Sequence, residues 1–330
     1  MVGFDQVVTT LSVIIPTRNR ADLLNGALKS LELQTLPRDS FEVLVIDNGS
    51  TDNTKAVVES ARQVLGNVRY LYDDTPGLHV GRHLGMKMAK SDILVYADDD
   101  IEAYPTWLEA IEESFHDQEV ALVGGKIMPK FETAPPNWIE RMWEPNRQGT
   151  RNIGYLSIID LGEVIKATDP YNVYGCNFSI RKSILLEAGG FHPDAMPKEL
   201  LLYRGDGETH VSKFIAEKGY KSLFHHRASV YHMVPAHRMT ENYFCLRAYN
   251  QGISDSYTFM REKIKKNKPT TINLKFDLKK VIRFFAKYIN NDKRRRYNFY
   301  LAYQAGYEFH RYNVMNDQRL YDWVTKDYYM

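Results

Sequence analysis

The residues in this sequence with the most chemistry to offer are acids at the ends of apolar runs. "ILVYADDDI" (93–101) turns from strand-forming residues into Asp98, Asp99 and Asp100. Three carboxylates this close repel one another and raise each other's pKa unless a cation offsets them. Two more polar clusters follow apolar runs in the same manner, "PTRNR" (16–20) after "LSVII" and "DNGSTD" (47–52) after "FEVLVI". A further acidic group, "RGDGETH" (204–210), opens a helical stretch. Side chains alternate along an extended chain, so Asp98 and Asp100 are expected to point one way and Asp99 the other, as the dispensable member. One or two carboxylates completed by substrate phosphates suit a hard divalent cation. A carboxylate within hydrogen-bond reach of a hydroxyl can take its proton as a general base.

These clusters need elements to hold them. "LSVII" (11–15), "FEVLVI" (41–46), "VRYLY" (68–72) and "DILVYA" (92–97) read as strands. Between them, 21–34, 51–65 and 77–91 carry apolar residues at helical spacing. A strand–helix–strand order predicts a mostly parallel sheet with helices on both faces and right-handed crossovers. In such open sheets a ligand sits at the carboxyl ends of the strands, where the three polar clusters lie. Residues 105–115 read as a helix and 120–125 as a strand; 126–170 show no clear period and are expected to be irregular. Strand and helix return over 173–191, and 207–220 is predicted as a helix ended by Gly219. From about 238 the chain is expected to be helical, Tyr-rich and more basic.

Composition narrows the class. The chain has 330 residues, 44% of them hydrophobic. A chain of this size buries roughly 75% of its unfolded surface, enough for one large domain with an appendage. Lys and Arg number 43 against 41 Asp and Glu, which argues against a nucleic-acid-coating protein. Two cysteines far apart build neither a disulfide framework nor a zinc site. No leader-like start and no apolar run of about 20 residues is present, so the expectation is a soluble, cytoplasmic protein. "SVIIPTRNRAD" lacks the glycines of a dinucleotide fingerprint, and no phosphate loop ending in Gly-Lys-Ser/Thr occurs.

The ordered blocks "SVIIPTRNR", "VLVIDNGSTD", "GLHVGRHLGMKMAKSDILVYADDDI" and "YGCNFSIRKSILLEAGGF" together resemble a family 2 glycosyltransferase over about residues 10–235. That resemblance implies a GT-A fold, a Rossmann-like, mostly parallel sheet, and inverting transfer from a nucleotide-diphosphate sugar, UDP-linked by preference. It implies a GT-A domain over 1–237, with a nucleotide-binding half to about 125 and an acceptor-side half from 126, then a helical region over 238–330. Pro16, Thr17 and Arg18 would turn against the nucleoside, Asp47 would accept a hydrogen bond from the base, and Gly77 and Arg82 would meet the nucleotide. Gly85 is expected only to pack the helix on the sheet, and no role falls on His83. Asp98 would bond the ribose, Asp99 belongs to the same donor-binding triplet, and Asp100 would hold Mn²⁺ or Mg²⁺. Counting back from Gly219 puts Glu208 at the base position, with Asp206 as the alternate because a glycine separates the two. His232 is expected as a further metal or phosphate contact and Arg238 as a phosphate contact. Trp138 and Asn177 are the acceptor-side candidates, for a glycan, lipid-linked glycan or protein acceptor. The segment 278–289, with its apolar face and flanking Lys and Arg, would pack on the domain or another subunit, or lie on an anionic membrane surface. Two rivals are a nucleotidyltransferase of similar topology and a catalytically silent sugar-binding or scaffold relative.

Overall fold

The computed structural model describes residues 9–266 and 291–330. The segment 278–289 therefore lies outside the described residues. The first half runs β1 (Leu11–Thr17), α1 (Ala21–Glu32), β2 (Phe41–Asp47), α2 (Thr54–Leu65), β3 (Val68–Tyr72), α3 (Leu78–Met88), β4 (Ile93–Ala97), β5 (Ile101–Ala103), α4 (Trp107–Phe115) and β6 (Val120–Gly124). Then come β7 (Ile127–Phe131), α5 (Asn137–Met142), β8 (Arg151–Ile153), β9 (Ile158–Asp160), β10 (Ile165–Ala167), β11 (Asn177–Arg181), α6 (Lys182–Glu187), α7 (Glu208–Lys218), β12 (Lys221–His225) and β13 (Val230–Val234). The C-terminal helices are α8 (Glu241–Lys265), α9 (Asn291–Asn316) and α10 (Gln318–Thr325).

The main sheet has the order β10-β12-β6-β11-β4-β1-β2-β3. β4, β1, β2 and β3 are parallel, as the alternation predicts, and β12 runs parallel to β6. β11 inserts antiparallel between β4 and β6, and β10 adds an antiparallel edge. Both faces are covered, which is why these strands read as continuous apolar runs. Val13, Ile15, Val43 and Val45 face one buried cluster with α1, α2 and α4, while Ile14, Leu44 and Ile46 face a second with Met86 of α3 and Val211 of α7. Gly85 of α3 presses on Ile14 of β1, a packing contact as expected.

The stretch 126–170 departs from its expectation. Its β7, β8 and β9 join β5 and β13 in a second sheet of order β5-β13-β7-β9-β8, most of whose strands are too short to show a period, while its β10 joins the main sheet. The second sheet positions part of the site. β5 follows the Asp triplet directly and pairs with β13, and Met233 donates its backbone N–H to the carbonyl of Asp100 at 2.9 Å. That pairing carries His232 to the acids.

α8 and α9 lie side by side, and with α10 they build a third cluster from Tyr257, Met260, Val314, Leu320 and Val324. Among the described residues no helix is long and apolar enough to cross a membrane. His310, buried between α8 and α9 beside Ser256 Oγ at 3.0 Å, is held neutral, its pKa pushed down by burial to about 4 from the usual 6.5. Burial lowers His79 and His210 to about 4 as well, and His83, against Phe191 N–H, to about 3. A histidine depressed on folding stabilises the fold above its unfolded pKa, and the contribution is lost as pH falls through the folded value. Melting temperature is therefore expected to drop between pH 6.5 and 4, with a shallower slope for His310→Gln. Identical slopes in melts across that window would contradict the burial argument for His310.

Candidate active site

The β1–β2 register sets Thr17 beside Asp47, and the β1–β4 register brings the end of β4 to the same edge. A cleft of about 500 Å³ opens there. Pro16, Thr17, Arg18, Gly77, Arg82, Asp98, Asp99, Asp100, Asp206, Glu208, His232 and Arg238 all line it, so most residues singled out from sequence are brought together. The loops after β1 and β2 are tied to each other. Asn19 Oδ1 accepts from Thr51 N–H at 2.7 Å, and Asp52 Oδ2 accepts from Ala21 N–H at 3.0 Å, satisfying one of the free N–H groups that open α1.

β4 ends at Ala97, so strict strand alternation does not extend through the acids. Asp98 and Asp100 do share a side with His232: the three offer ligand atoms all within 4.8 Å of one another. Asp99 has partners of its own. It is buried, accepts from Thr17 Oγ1 at 2.7 Å and is ion-paired with Arg20 Nη1 at 2.6 Å, which ties the β4 end to the β1 end. Burial is the main reason its carboxyl is pushed up to about 7 despite Arg20. Arg20 also holds Asp100 Oδ2 at 2.6 Å, and Arg238 lies 3.3 Å from the same oxygen. Burial pushes Asp100 up, but His232, Arg20 and Arg238 outweigh it and hold it well below the usual range. Burial and the nearby Asp100 raise Asp98, whose side chain is one-third exposed to the cleft.

His232 shows whether this set fits a cation. Its Nδ1 lies 3.0 Å from the carbonyl of Leu156, an acceptor only, so Nδ1 carries the proton. In the neutral ring that leaves the Nε2 lone pair facing Asp100 Oδ1 at 3.3 Å, and this buried oxygen has no aligned hydrogen bond. A charged ring would instead donate Nε2–H to Asp100, and with Asp98 beside the pair a divalent cation can take the place of that proton between the two atoms. The backbone bond on the far ring nitrogen is the support such ligands usually have.

The acids of "RGDGETH" part company. Gly207 has φ +54°, a conformation open to glycine, and turns its two neighbours in different directions. Asp206 points inward, where His192 Nδ1 at 2.6 Å and Thr258 Oγ1 at 2.6 Å occupy both its oxygens. Glu208, at the first turn of α7, points into the cleft. Its Oε1 accepts from Gly175 N–H at 3.2 Å and its Oε2 from Arg82 Nη1 at 3.2 Å. Arg82 also lies 3.9 Å from Asp98 Oδ1, so one buried guanidinium spans Glu208 and the acid triplet. Gly175 makes room for this pair: a Cβ there would run into Arg82 Nη2 and lie 2.8 Å from Glu208 Oε1. Gly175→Ala is thus expected to lower turnover about a hundredfold or more with the fold intact. Wild-type rates in that variant, with an unchanged melt, would show that the pair does not matter.

Three sequence candidates are placed elsewhere. The carboxylate of Asp47 is used locally, by Ser50 N–H at 2.7 Å and Tyr70 OH at 2.7 Å, and its neighbour Asn48 lines the cleft instead. The Trp138 ring is half-buried and packs against the core, edge-on to Phe244 at 4.8 Å and under Arg295. Asn177 is buried between Trp107 Nε1 and the carbonyl of Ala228. Cleft residues missed in the sequence are Arg20, Tyr155, Gly175, Asp194, Arg204 and the α8 side chains Tyr243, Arg247, Gln251 and Ser254. The α8 group follows helical spacing and could have been read as one face; Asp194 and Arg204 carry no local signal.

The family model described as Glycosyl transferase family 2 matches residues 12–187. The glycosyltransferase AglE of Haloferax volcanii is 28% identical over 218 residues, 66% of this chain and 64% of that protein. Validoxylamine A glucosyltransferase of Streptomyces hygroscopicus subsp. jinggangensis is 37% identical over 113 residues, 34% of this chain. The chain spans less than two thirds of the first of these proteins and about a quarter of the second. Among solved structures, the mannosyltransferase PcManGT from Pyrobaculum calidifontis, in complex with GDP-Man and Mn²⁺, aligns over 94% of this chain and 76% of its own at a TM-score of 0.55 and 17% identity. The fold shared at that identity is the GT-A fold. With the family match covering more than half of its length, this chain belongs to glycosyl transferase family 2.

Proposed function

We propose that this chain is a glycosyltransferase that moves a sugar from a nucleoside-diphosphate donor, UDP-linked by preference, to an acceptor hydroxyl with inversion. The observation that carries this is the span of Arg82, with Glu208 on one side of its guanidinium and Asp98 on the other. A base and a donor-binding acid are thereby held one side chain apart.

Glu208 accepts the proton of the acceptor hydroxyl as that oxygen bonds to the anomeric carbon and the bond to the donor diphosphate breaks. Attack opposite the leaving group inverts the anomeric centre. Arg82 and Gly175 N–H keep the Glu208 carboxylate oriented. Asp206 positions the turn that delivers Glu208, rather than taking the proton itself. Pro16, Thr17, Arg18, Asn48 and Gly77 form the nucleoside end, with Asp98 on the ribose. Asp98, Asp100 and His232 are the residues that would hold a divalent metal, and an ion there stabilises charge on the departing diphosphate. The imidazole in an otherwise oxygen set favours Mn²⁺ over Mg²⁺. Arg20 and Arg238 offset the remaining charge of the triplet.

Thermal shift and calorimetry with UDP- and GDP-sugars, each with and without Mn²⁺, test this reading. At least one pair is expected to bind in a metal-dependent way. Absence of any metal-dependent nucleotide-sugar binding across the panel would remove it.

A further inference from the structure

One wall of the cleft is not accounted for by donor binding or the base. α8 presents Tyr243, Arg247, Gln251 and Ser254 to the cleft, spaced by four, four and three residues along one helix face. Tyr155 lines the cleft as well. This wall lies on the side of the base. Ser254 Oγ accepts from Arg204 Nε at 3.2 Å, and one turn further Thr258 holds Asp206, two residues from Glu208.

The charges along the cleft pair off with one exception at this wall. Arg82 has Glu208, Arg20 and Arg238 have the acid triplet, and Arg204 Nη2 has Asp194 Oδ1 at 2.6 Å. Among the described residues Arg247 has neither an ion-pair nor a hydrogen-bond partner, and its Nε is shut off from water. Arg18, likewise unpartnered, is exposed at the β1 end. A buried donor without an acceptor costs free energy that a bound acceptor group recovers. A guanidinium fork matches the two oxygens of a carboxylate or phosphate. Nearby, burial pushes the Asp194 carboxyl up, but Arg204, Arg82 and Arg247 outweigh it. Asp194 therefore stays ionised and engaged by Arg204.

We infer that the α8 wall is an acceptor subsite in which Arg247 binds an oxyanion, a phosphate or carboxylate carried by the acceptor, while Tyr155 and Tyr243 flank its sugar. This rests on the glycosyltransferase reading above and adds the chemical class of the acceptor.

The test is calorimetry on enzyme saturated with Mn²⁺ and UDP or GDP, whichever binds, so that the donor diphosphate position is filled. The probes are glucose 1-phosphate, glucuronic acid and methyl glucoside, and the proteins are wild type, Arg247→Gln and Arg247→Lys. At least one anionic sugar is expected to bind wild type about tenfold or more tighter than methyl glucoside, and to lose about that factor in Arg247→Gln, as a charge-assisted hydrogen bond is worth. Which anion binds better tells a phosphate acceptor from a carboxylate one. Arg247→Lys, which keeps the charge without the fork, is expected in between. Nucleotide affinity is expected within twofold of wild type in both variants, which also shows that they fold. Equal binding of methyl glucoside, binding of no probe at millimolar concentration, or unchanged anion affinity in Arg247→Gln would overturn the subsite. A matching loss of nucleotide affinity would move Arg247 to the donor diphosphate. Failure of wild type to bind any nucleotide would instead overturn the donor reading.

Discussion

Glu208→Gln is expected to lower turnover about a thousandfold while leaving nucleotide affinity within twofold. The amide is nearly isosteric and its oxygen can still accept from Arg82 or Gly175 N–H, so the cleft keeps its shape. What it loses is the ability to take a proton. Asp206→Asn should behave differently. Both Asp206 oxygens already serve His192 and Thr258, and its removal loosens the turn at Gly207 and the link to α8. A lower melting temperature and about a tenfold fall in kcat are expected, since displacing a base costs less than removing it. Single-turnover rates with nucleotide affinities measured beside them separate the two. If Asp206→Asn abolishes transfer at full nucleotide affinity while Glu208→Gln stays active, the base is Asp206.

The second large effect concerns the triplet. Asp100→Asn is expected to weaken Mn²⁺ by about a hundredfold or more, at least as much as loss of a supporting partner does, and to bring turnover to its metal-free background. Asp100 lies against His232 Nε2 and is held ionised by Arg20 and Arg238, so its loss removes a ligand and leaves two arginines short of a partner. Asp99→Asn is expected to keep Mn²⁺ affinity within a few-fold and to lower the melting temperature instead, because Asp99 joins β4 to Thr17 and Arg20. Manganese titrations of the two variants, with melts, check the division. Equal metal losses would mean that Asp99 is a ligand and that the Asp98, Asp100 and His232 set is misassigned.

The parallel half of the sheet is legible in the sequence because strands buried on both faces read as apolar runs, and the polar strand ends stand out against them. Glu208, the proposed base, is reached by counting back from Gly219, which ends α7 with φ +71°. Asp98 and Asp100 share a side as alternation expects although β4 stops at Ala97, but the ties of Asp99 to Thr17 and Arg20 leave no local mark in the sequence. Gly175 is passed over for Asn177 although both lie in "GCN"; backbone N–H and the absence of a side chain leave no chemical mark in a sequence. Trp138 and Asn177 are polar or aromatic residues used for packing, which the local pattern does not distinguish from residues that face a ligand. The second sheet is hidden because several of its strands have only three residues. Arg247 is hidden because its surroundings come from Tyr155, Asp194 and Arg204, far away in the chain.

Release of nucleoside diphosphate from a panel of nucleotide sugars, followed by proton NMR of the freed sugar, bears most directly on metal-dependent, inverting transfer by Glu208. Water can stand in for the unidentified acceptor hydroxyl. Release with at least one donor, a first-formed anomer opposite to that of the donor, and loss of both with chelator or in Glu208→Gln are expected. Retained anomeric configuration, or release that persists undiminished in Glu208→Gln, would contradict it.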